Sequence, residues 1–212
     1  MGLRETKKQE TRREIADAAM RLFVQRGFDQ VTVAEVAAAA RVSEKTVFNY
    51  FPTKEDLFFD EVPQREAALA EAIRNRAAGE SIVAALRRLQ IADCRRLSSP
   101  GFATFARVIE ESPALQAKEL EVMARLTEAL ATAIRDALGV RALDAKIAAN
   151  MLVGVHWELF RNARAQALEG RHGPGAVRRL RRDLDLAYDL LEHGLDVLGQ
   201  ARRSGGATKL HA

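Results

Sequence analysis

The sequence predicts an all-α protein with two helical domains. Hydrophobic residues make up 48% of the chain and aromatic residues only 6%, because alanine and leucine supply most of the apolar side chains. Apolar residues recur at three- and four-residue spacing over most of the length, and no sustained alternation bounded by turn residues predicts a strand. Capping residues, glycines and prolines divide these periodic runs into about nine helices.

The first helix is predicted over residues 9–26, after a polar and frayed segment at residues 1–10. Gly27 is the expected left-handed residue beyond its last turn. A basic run leads into this helix, and it consists of Arg4, Lys7, Lys8, Arg12 and Arg13. Two interpretations of the run remain open: a solvated tail, or a segment that contacts DNA phosphates.

Residues 32–54 predict two short helices joined by a tight turn, followed by the start of a third helix. Thr32 and Glu35 have the spacing of a capping box, and Ser43 is a good N-cap for the second helix. Pro52 ends that helix, because the residue before a proline is pushed out of the α region.

The second of these helices divides into two faces. Val47 and Phe51 are four residues apart and point inward, which leaves Lys45, Thr46, Asn49 and Tyr50 outside. A short capped helix with polar and aromatic groups outside is typical of a helix that reads the DNA major groove. On pattern alone, a plain helical hairpin within an all-α core remains an alternative.

Three stretches carry a resemblance to the TetR family of transcriptional regulators: AAMRLFVQRGFD at 18–29, VTVAEVAAAA at 31–40 and VSEKTVFNYFPTKEDL at 42–57. The rest of the chain matches that family only in its helical character. The resemblance implies a helix-turn-helix DNA-binding domain over residues 1–53. It also implies a helical ligand-binding and dimerisation domain over 54–199 and a disordered tail over 200–212.

The resemblance also implies which residues contact double-stranded DNA: Thr32, Ser43, Lys45, Thr46, Phe48, Asn49, Tyr50 and Lys54. Among them Thr32 and Lys54 correspond to positions that anchor flanking phosphates. Asn49 is the best candidate for a base contact, since its amide can pair bidentately with adenine. Two copies, joined through the last two long helices, would read a near-palindromic operator.

The C-terminal part predicts helices at 54–61 continuing beyond Pro63 to about 76, then at 81–97, 101–111, 113–138, 144–169 and 175–199. Asp144 is the expected cap of the penultimate helix. Candidate residues for an apolar or amphipathic effector are Phe102, Phe105, Ile109, His156, Trp157 and Phe160. For His156 and Trp157, ordinary core packing remains the alternative.

No motif predicts catalysis, a cofactor or a metal site. The four histidines have no ligand spacing, and the single cysteine, Cys94, fits a small core residue in a reducing cytoplasm. The absence of a long apolar stretch or a signal segment favours a cytoplasmic protein with no membrane partner. The arginines at 178, 179, 181 and 182 fit a solvated or ion-paired face better than a second DNA-binding patch.

The sequence therefore predicts a DNA-binding transcriptional regulator, a repressor released from its operator by a small molecule. The alternative is an all-α small-molecule-binding protein or enzyme with an incidental N-terminal helical unit. A non-specific DNA-compacting protein is disfavoured, because the formal net charge is only +4.

Overall fold

The structure is a computed structural model, and it describes residues 2–193. Within that range it contains ten helices and no strand, so the all-α prediction is confirmed. A candidate membrane-spanning helix is not found among them. The helices are α1 (Leu3–Arg26), α2 (Val33–Ala39), α3 (Glu44–Tyr50), α4 (Lys54–Phe58), α5 (Val62–Arg74), α6 (Ile82–Leu97), α7 (Pro100–Glu110), α8 (Pro113–Leu138), α9 (Ala142–Leu168) and α10 (Pro174–His193).

The chain forms two compact units. Among the described residues, the first unit comprises residues 2–65 together with Ala103–Val122, and the second comprises Glu66–Phe102 and residues 123–193. The first unit thus extends beyond residue 53, where the sequence suggested a domain boundary. Leu57 and Phe58 explain the extension, because both are buried in the same apolar core as α1.

The core of the first unit is built around phenylalanine rings. The rings of Phe23 and Phe28 lie 4.9 Å apart between centroids, and Phe58 lies 6.3 Å from each. Helix α1 packs against α2 and α4, and α2 packs against α3. The other buried members are Ile15, Ala16, Ala19, Val31, Val36, Ala37, Val47, Phe51, Leu57, Val108, Ile109 and Leu115.

Arg12 links the end of α3 and the turn after α4 to α1. Its guanidinium donates to the Tyr50 carbonyl at 3.0 Å and to the Asp60 carbonyl at 3.2 Å, and lies 4.2 Å from the centroid of the Phe51 ring. The sequence placed Arg12 in a basic run for which a solvated tail and a phosphate-contacting segment were both open. Its hydrogen bonds tie the last residue of α3 and the turn after α4 to the first helix.

In the second unit, α10 packs against α6 and α9. The guanidinium of Arg87 bonds the carboxylates of Asp185 and Asp189, at closest distances of 2.6 and 2.9 Å. At the other end, the Gly173 N–H donates to the Ser98 carbonyl at 3.1 Å. Helix α10 therefore runs antiparallel to α6.

Three boundary predictions change. Residues 3–10 are helical rather than frayed, because the Gly2 carbonyl accepts the first amide bonds of α1. The helix predicted from 54 ends at Phe58, and Pro63 lies in the first turn of α5, where proline is tolerated. Arg141, not Asp144, is the N-cap of α9. Helix α10 is described as far as His193, and the predicted end at 199 and tail at 200–212 lie outside the described residues.

Gly27 has the positive φ that was expected after α1. Its φ is 82°, but its ψ of 151° is extended rather than left-handed helical. The chain therefore leaves α1 in a direction that few residues other than glycine adopt.

The surroundings of the Asp60 carboxyl group disfavour its negatively charged form. Burial raises its pKa to about 6, the negative charge of Glu61 adds to the rise, and the positive charge of Arg12 opposes it. The folded protein therefore binds a proton at Asp60 more tightly than the unfolded chain does. This contribution to stability is fully present below about pH 4 and is lost as pH rises through about 6.

Replacing Asp60 by asparagine is expected to remove the loss of stability that ionisation of Asp60 causes above about pH 6. At pH 7.5 Asp60→Asn should raise the free energy of unfolding by about 1–2 kcal/mol, after allowance for partial solvent screening, and near pH 4 it should add little. Urea denaturation at both pH values measures the difference. Asp136→Asn, at an exposed carboxylate, is the control. An equal effect of Asp60→Asn at both pH values would contradict this account.

Candidate nucleic-acid interface

The first helix of the interface, α2, begins with the predicted capping box. The Thr32 hydroxyl accepts from the Glu35 N–H at 3.3 Å, and the Thr32 N–H donates to the Glu35 carboxylate at 2.8 Å. The Thr32 N–H, together with Arg26 at 2.7 Å, holds the pKa of Glu35 at about 2. The Thr32 hydroxyl also donates to Glu35 at 2.9 Å, so contact with a phosphate would require it to break that bond.

The turn between α2 and α3 is closed by two backbone hydrogen bonds. The Arg41 N–H donates to the Ala38 carbonyl at 3.1 Å, and the Val42 N–H donates to the Ala37 carbonyl at 2.9 Å. These are the two bonds of a Schellman motif, which places its central residue in the left-handed region. Arg41 takes that position with a φ of 57°.

Helix α3 has one buried face and one exposed face. Val47 and the C-cap residue Phe51 are almost fully buried. Lys45, Phe48 and Asn49 are exposed and lie on one face at i, i+3 and i+4, with 49% of Phe48 accessible. A cation, an aromatic ring and an amide thus stand side by side on a surface that no part of the first unit covers.

The other predicted DNA contacts flank that face. Ser43 is exposed and caps α3 by accepting from the Thr46 N–H at 3.1 Å, and the two hydroxyl oxygens lie 2.8 Å apart. Thr46 and Tyr50 are half-buried, and Tyr50 packs against the core. These residues border the exposed face, and their contacts with DNA stay predictions.

Lys54 has a structural role that the sequence did not predict. Its ammonium donates to the carbonyls of Phe28 and Val31, at 2.9 Å each, and lies 4.1 Å from the centroid of the Phe28 ring. It therefore joins the start of α4 to the loop before α2. As a phosphate anchor Lys54 would have to exchange at least part of this coordination.

The six candidate effector residues divide between the two units. Phe102, Trp157 and Phe160 form a ring cluster in the second unit, with centroids 5.5 Å apart for Phe102–Phe160 and 6.1 Å for Trp157–Phe160. Phe105 instead stacks on Phe58 at 4.6 Å in the first unit, where Ile109 is fully buried. His156 is half-buried beside Trp157 on α9. The candidate effector set within the second unit is therefore the ring cluster with His156.

Two polar links within the first unit were not predicted. The Ser112 hydroxyl, which is almost fully buried, donates to Asp29 at 2.8 Å. The Lys118 ammonium lies 3.2 Å from the carboxylate of Asp56, which also closes the capping box of α4. They join the loop before α2 and the start of α4 to residues near the start of α8. The partners lie far apart in sequence, and no local pattern indicates them.

Comparison with known proteins shows which class of DNA-binding protein has this arrangement of helices. The family model for bacterial regulatory proteins of the tetR family matches residues 15–60, which include α2, the turn and α3. The resemblance to the TetR family of transcriptional regulators is therefore confirmed for the helix-turn-helix segment.

Two curated relatives extend the match. The chain is 27% identical over 147 residues to the HTH-type transcriptional regulator TcmR of Streptomyces glaucescens, covering 66% of this chain and 65% of TcmR. It is 26% identical over 204 residues to the putative mycofactocin biosynthesis transcriptional regulator MftR of Mycobacterium tuberculosis, covering 90% and 93% of the two chains.

A solved structure has a similar fold. The TetR-family repressor FadR of Thermus thermophilus, crystallised with lauroyl-CoA, has a TM-score of 0.54 and 27% identity to this chain. The alignment covers 87% of this chain and 94% of FadR. The predicted combination of an N-terminal helix-turn-helix with a C-terminal helical domain is confirmed.

Removal of the positive charge should affect the free energy of unfolding more at Lys54 than at Lys45. Lys54→Met should lower the free energy of unfolding by about 1–3 kcal/mol, because two carbonyls lose a charged donor. Lys45→Met, at an exposed lysine, should change it by less than about 0.5 kcal/mol. Urea denaturation of the two variants makes the comparison, and equal effects would refute the structural role of Lys54.

Proposed function

We propose that this protein is a homodimeric repressor that reads a near-palindromic operator with the exposed face of α3 and is released by an apolar or amphipathic effector. The observation that carries the proposal is the row formed by Lys45, Phe48 and Asn49, presented by a helix whose opposite face is buried. Such a helix can enter the major groove without disturbing its own packing.

The three exposed side chains suit different features of the groove. The amide of Asn49 can donate to and accept from the edge of an adenine, and the Phe48 ring can contact a thymine methyl group. The Lys45 ammonium can bond guanine or a phosphate oxygen. Asn49 is therefore the residue on which sequence preference should depend most directly.

A second copy of the chain would cover apolar surface on α9. Leu143, Ile147 and Met151 recur at four-residue spacing and are 63%, 52% and 53% exposed. An apolar stripe along one face of a long helix is typical of an interface between subunits. A two-fold axis at this interface would repeat α3 on both halves of a near-palindrome.

The effector would bind in the second unit against the ring cluster of Phe102, Trp157 and Phe160. Apolar walls suit an aliphatic or aromatic ligand, and the lauroyl-CoA complex of Thermus FadR makes fatty acyl thioesters the first class to test. The effector can release DNA only if it binds the DNA-free arrangement more tightly than the DNA-bound one.

The effect of a bound effector would reach the helix-turn-helix through contacts within the first unit. Helices α7 and α8 continue in sequence from the second unit into residues 103–122, where Ser112 bonds Asp29 and Lys118 pairs with Asp56. A displacement of α7 and α8 would act through these links on the loop before α2 and on the start of α4.

Selection of binding sites from random duplex DNA tests the central part of the proposal. Purified protein at about physiological salt should enrich a motif with two-fold symmetry, because a dimer presents two copies of α3. The enriched duplex then serves to test lauroyl-CoA and other acyl thioesters for release. Binding without enrichment of any motif would overturn the repressor proposal.

Removal of the Asn49 amide should weaken specific binding alone. Asn49→Ala is expected to lose about 1–3 kcal/mol on the selected operator per half-site, with little change on random duplex. Fluorescence anisotropy on both duplexes measures this, with Asn75→Ala at an exposed asparagine of the 75–81 connection as the control. An equal loss on both duplexes would remove Asn49 from base reading.

A charge within the α9 stripe should separate the subunits. Ile147→Glu is expected to convert the dimer to monomers, because an unpaired carboxylate would be buried at the interface. Val24→Glu places the same charge at a comparably exposed apolar residue of α1 and should leave the dimer intact. Sedimentation velocity distinguishes the two, and a dimeric Ile147→Glu variant would place the interface elsewhere.

A further inference from the structure

Arg41 occupies a backbone conformation that favours glycine. Among residues 2–193, it is the one non-glycine residue with a positive φ. The Schellman motif that closes α2 requires this conformation, and a side chain with a Cβ atom is disfavoured there. Glycine at this position would relieve the strain and keep both backbone hydrogen bonds of the turn.

Arg41 supplies one of the few positive charges close to α3. Residues 32–50 contain two cations, Arg41 and Lys45, and two anions, Glu35 and Glu44. Outside this segment, Arg12 and Lys54 both bond backbone carbonyls, and Arg26 pairs with Glu35. Without Arg41, Lys45 would be the one cation that residues 32–50 themselves supply.

The Arg41 side chain is also available for a ligand. It is exposed and lies two residues before Ser43, the N-cap of α3. Within the described part of the chain, no hydrogen bond or ion pair is formed by its guanidinium. Guanidinium groups bind phosphate oxygens bidentately, and the phosphates that flank the groove are the nearest anions to the start of a helix lying in it.

We propose that Arg41 binds a backbone phosphate of the operator. Glycine at this left-handed position would make the fold more stable, and arginine occupies it because of the phosphate contact. The proposal rests on the DNA-binding function proposed above. It assigns Arg41 a role in affinity and in salt dependence, not in the choice of base, because phosphates are the same at every sequence.

Three substitutions separate the contact from the strain. Arg41→Gly removes both and should unfold at a higher urea concentration than the wild type while binding DNA more weakly. Arg41→Gln removes the charge and retains a side chain in the left-handed turn, so it should weaken binding without gaining stability. Arg41→Lys keeps the charge and should retain most of the affinity.

The binding measurements are anisotropy titrations at several salt concentrations, on the selected operator and on random duplex. Arg41→Gly and Arg41→Gln should each lower affinity at about 0.1 M salt by roughly tenfold per protomer bound. The slope of log affinity against log salt should fall by about 1 per protomer, by the same amount on both duplexes. Arg178→Gln, at an exposed arginine of α10, controls for net charge and should leave both quantities unchanged.

Wild-type affinity and salt slope in Arg41→Gly and Arg41→Gln would overturn the inference, and so would a loss confined to the operator. Both results would leave the repressor proposal standing, because the wild type would still select a symmetric motif. Failure of the wild type to select any motif would instead overturn the proposed function itself.

Discussion

The structure depends on how a seven-residue helix is held in place. Helix α3 is well below the length at which an isolated helix is stable in water, so its shape has to come from its surroundings. Ser43 caps one end, Val47 and Phe51 bury one face, and Arg12 bonds the Tyr50 carbonyl at the other end. Because support comes from one side and the ends, the opposite face stays free for a partner.

The same support determines how positive charge is distributed. Arg12 and Lys54 bond backbone carbonyls and place their charged groups over phenylalanine rings, so they stabilise the scaffold before any DNA is present. The attraction for DNA then depends on a small number of exposed cations, among them Lys45 on the exposed face of α3 and Arg41 in the turn before it. A modest net charge of +4 is consistent with such a division between scaffold and contact.

Local features were predictable from the sequence, and distant contacts were not. The caps at Thr32 and Ser43 and the stop of α8 before Gly139 follow from residues within a few positions of one another. Lys54 bonds carbonyls 26 and 23 residues away, and Arg12 bonds carbonyls 38 and 48 residues away. For the same reason, the helical periodicity placed Phe105 on an apolar helix face but did not indicate that its ring would stack on Phe58.

The most direct test of which surface meets DNA is hydroxyl-radical footprinting of the protein, read by mass spectrometry at Phe48. This ring is 49% exposed and reactive, and it lies in the middle of the proposed reading face. We expect saturating operator to protect Phe48 from oxidation while leaving the exposed Leu186 of α10 unchanged. Full oxidation of Phe48 in the DNA complex would contradict the assignment of α3 as the reading helix.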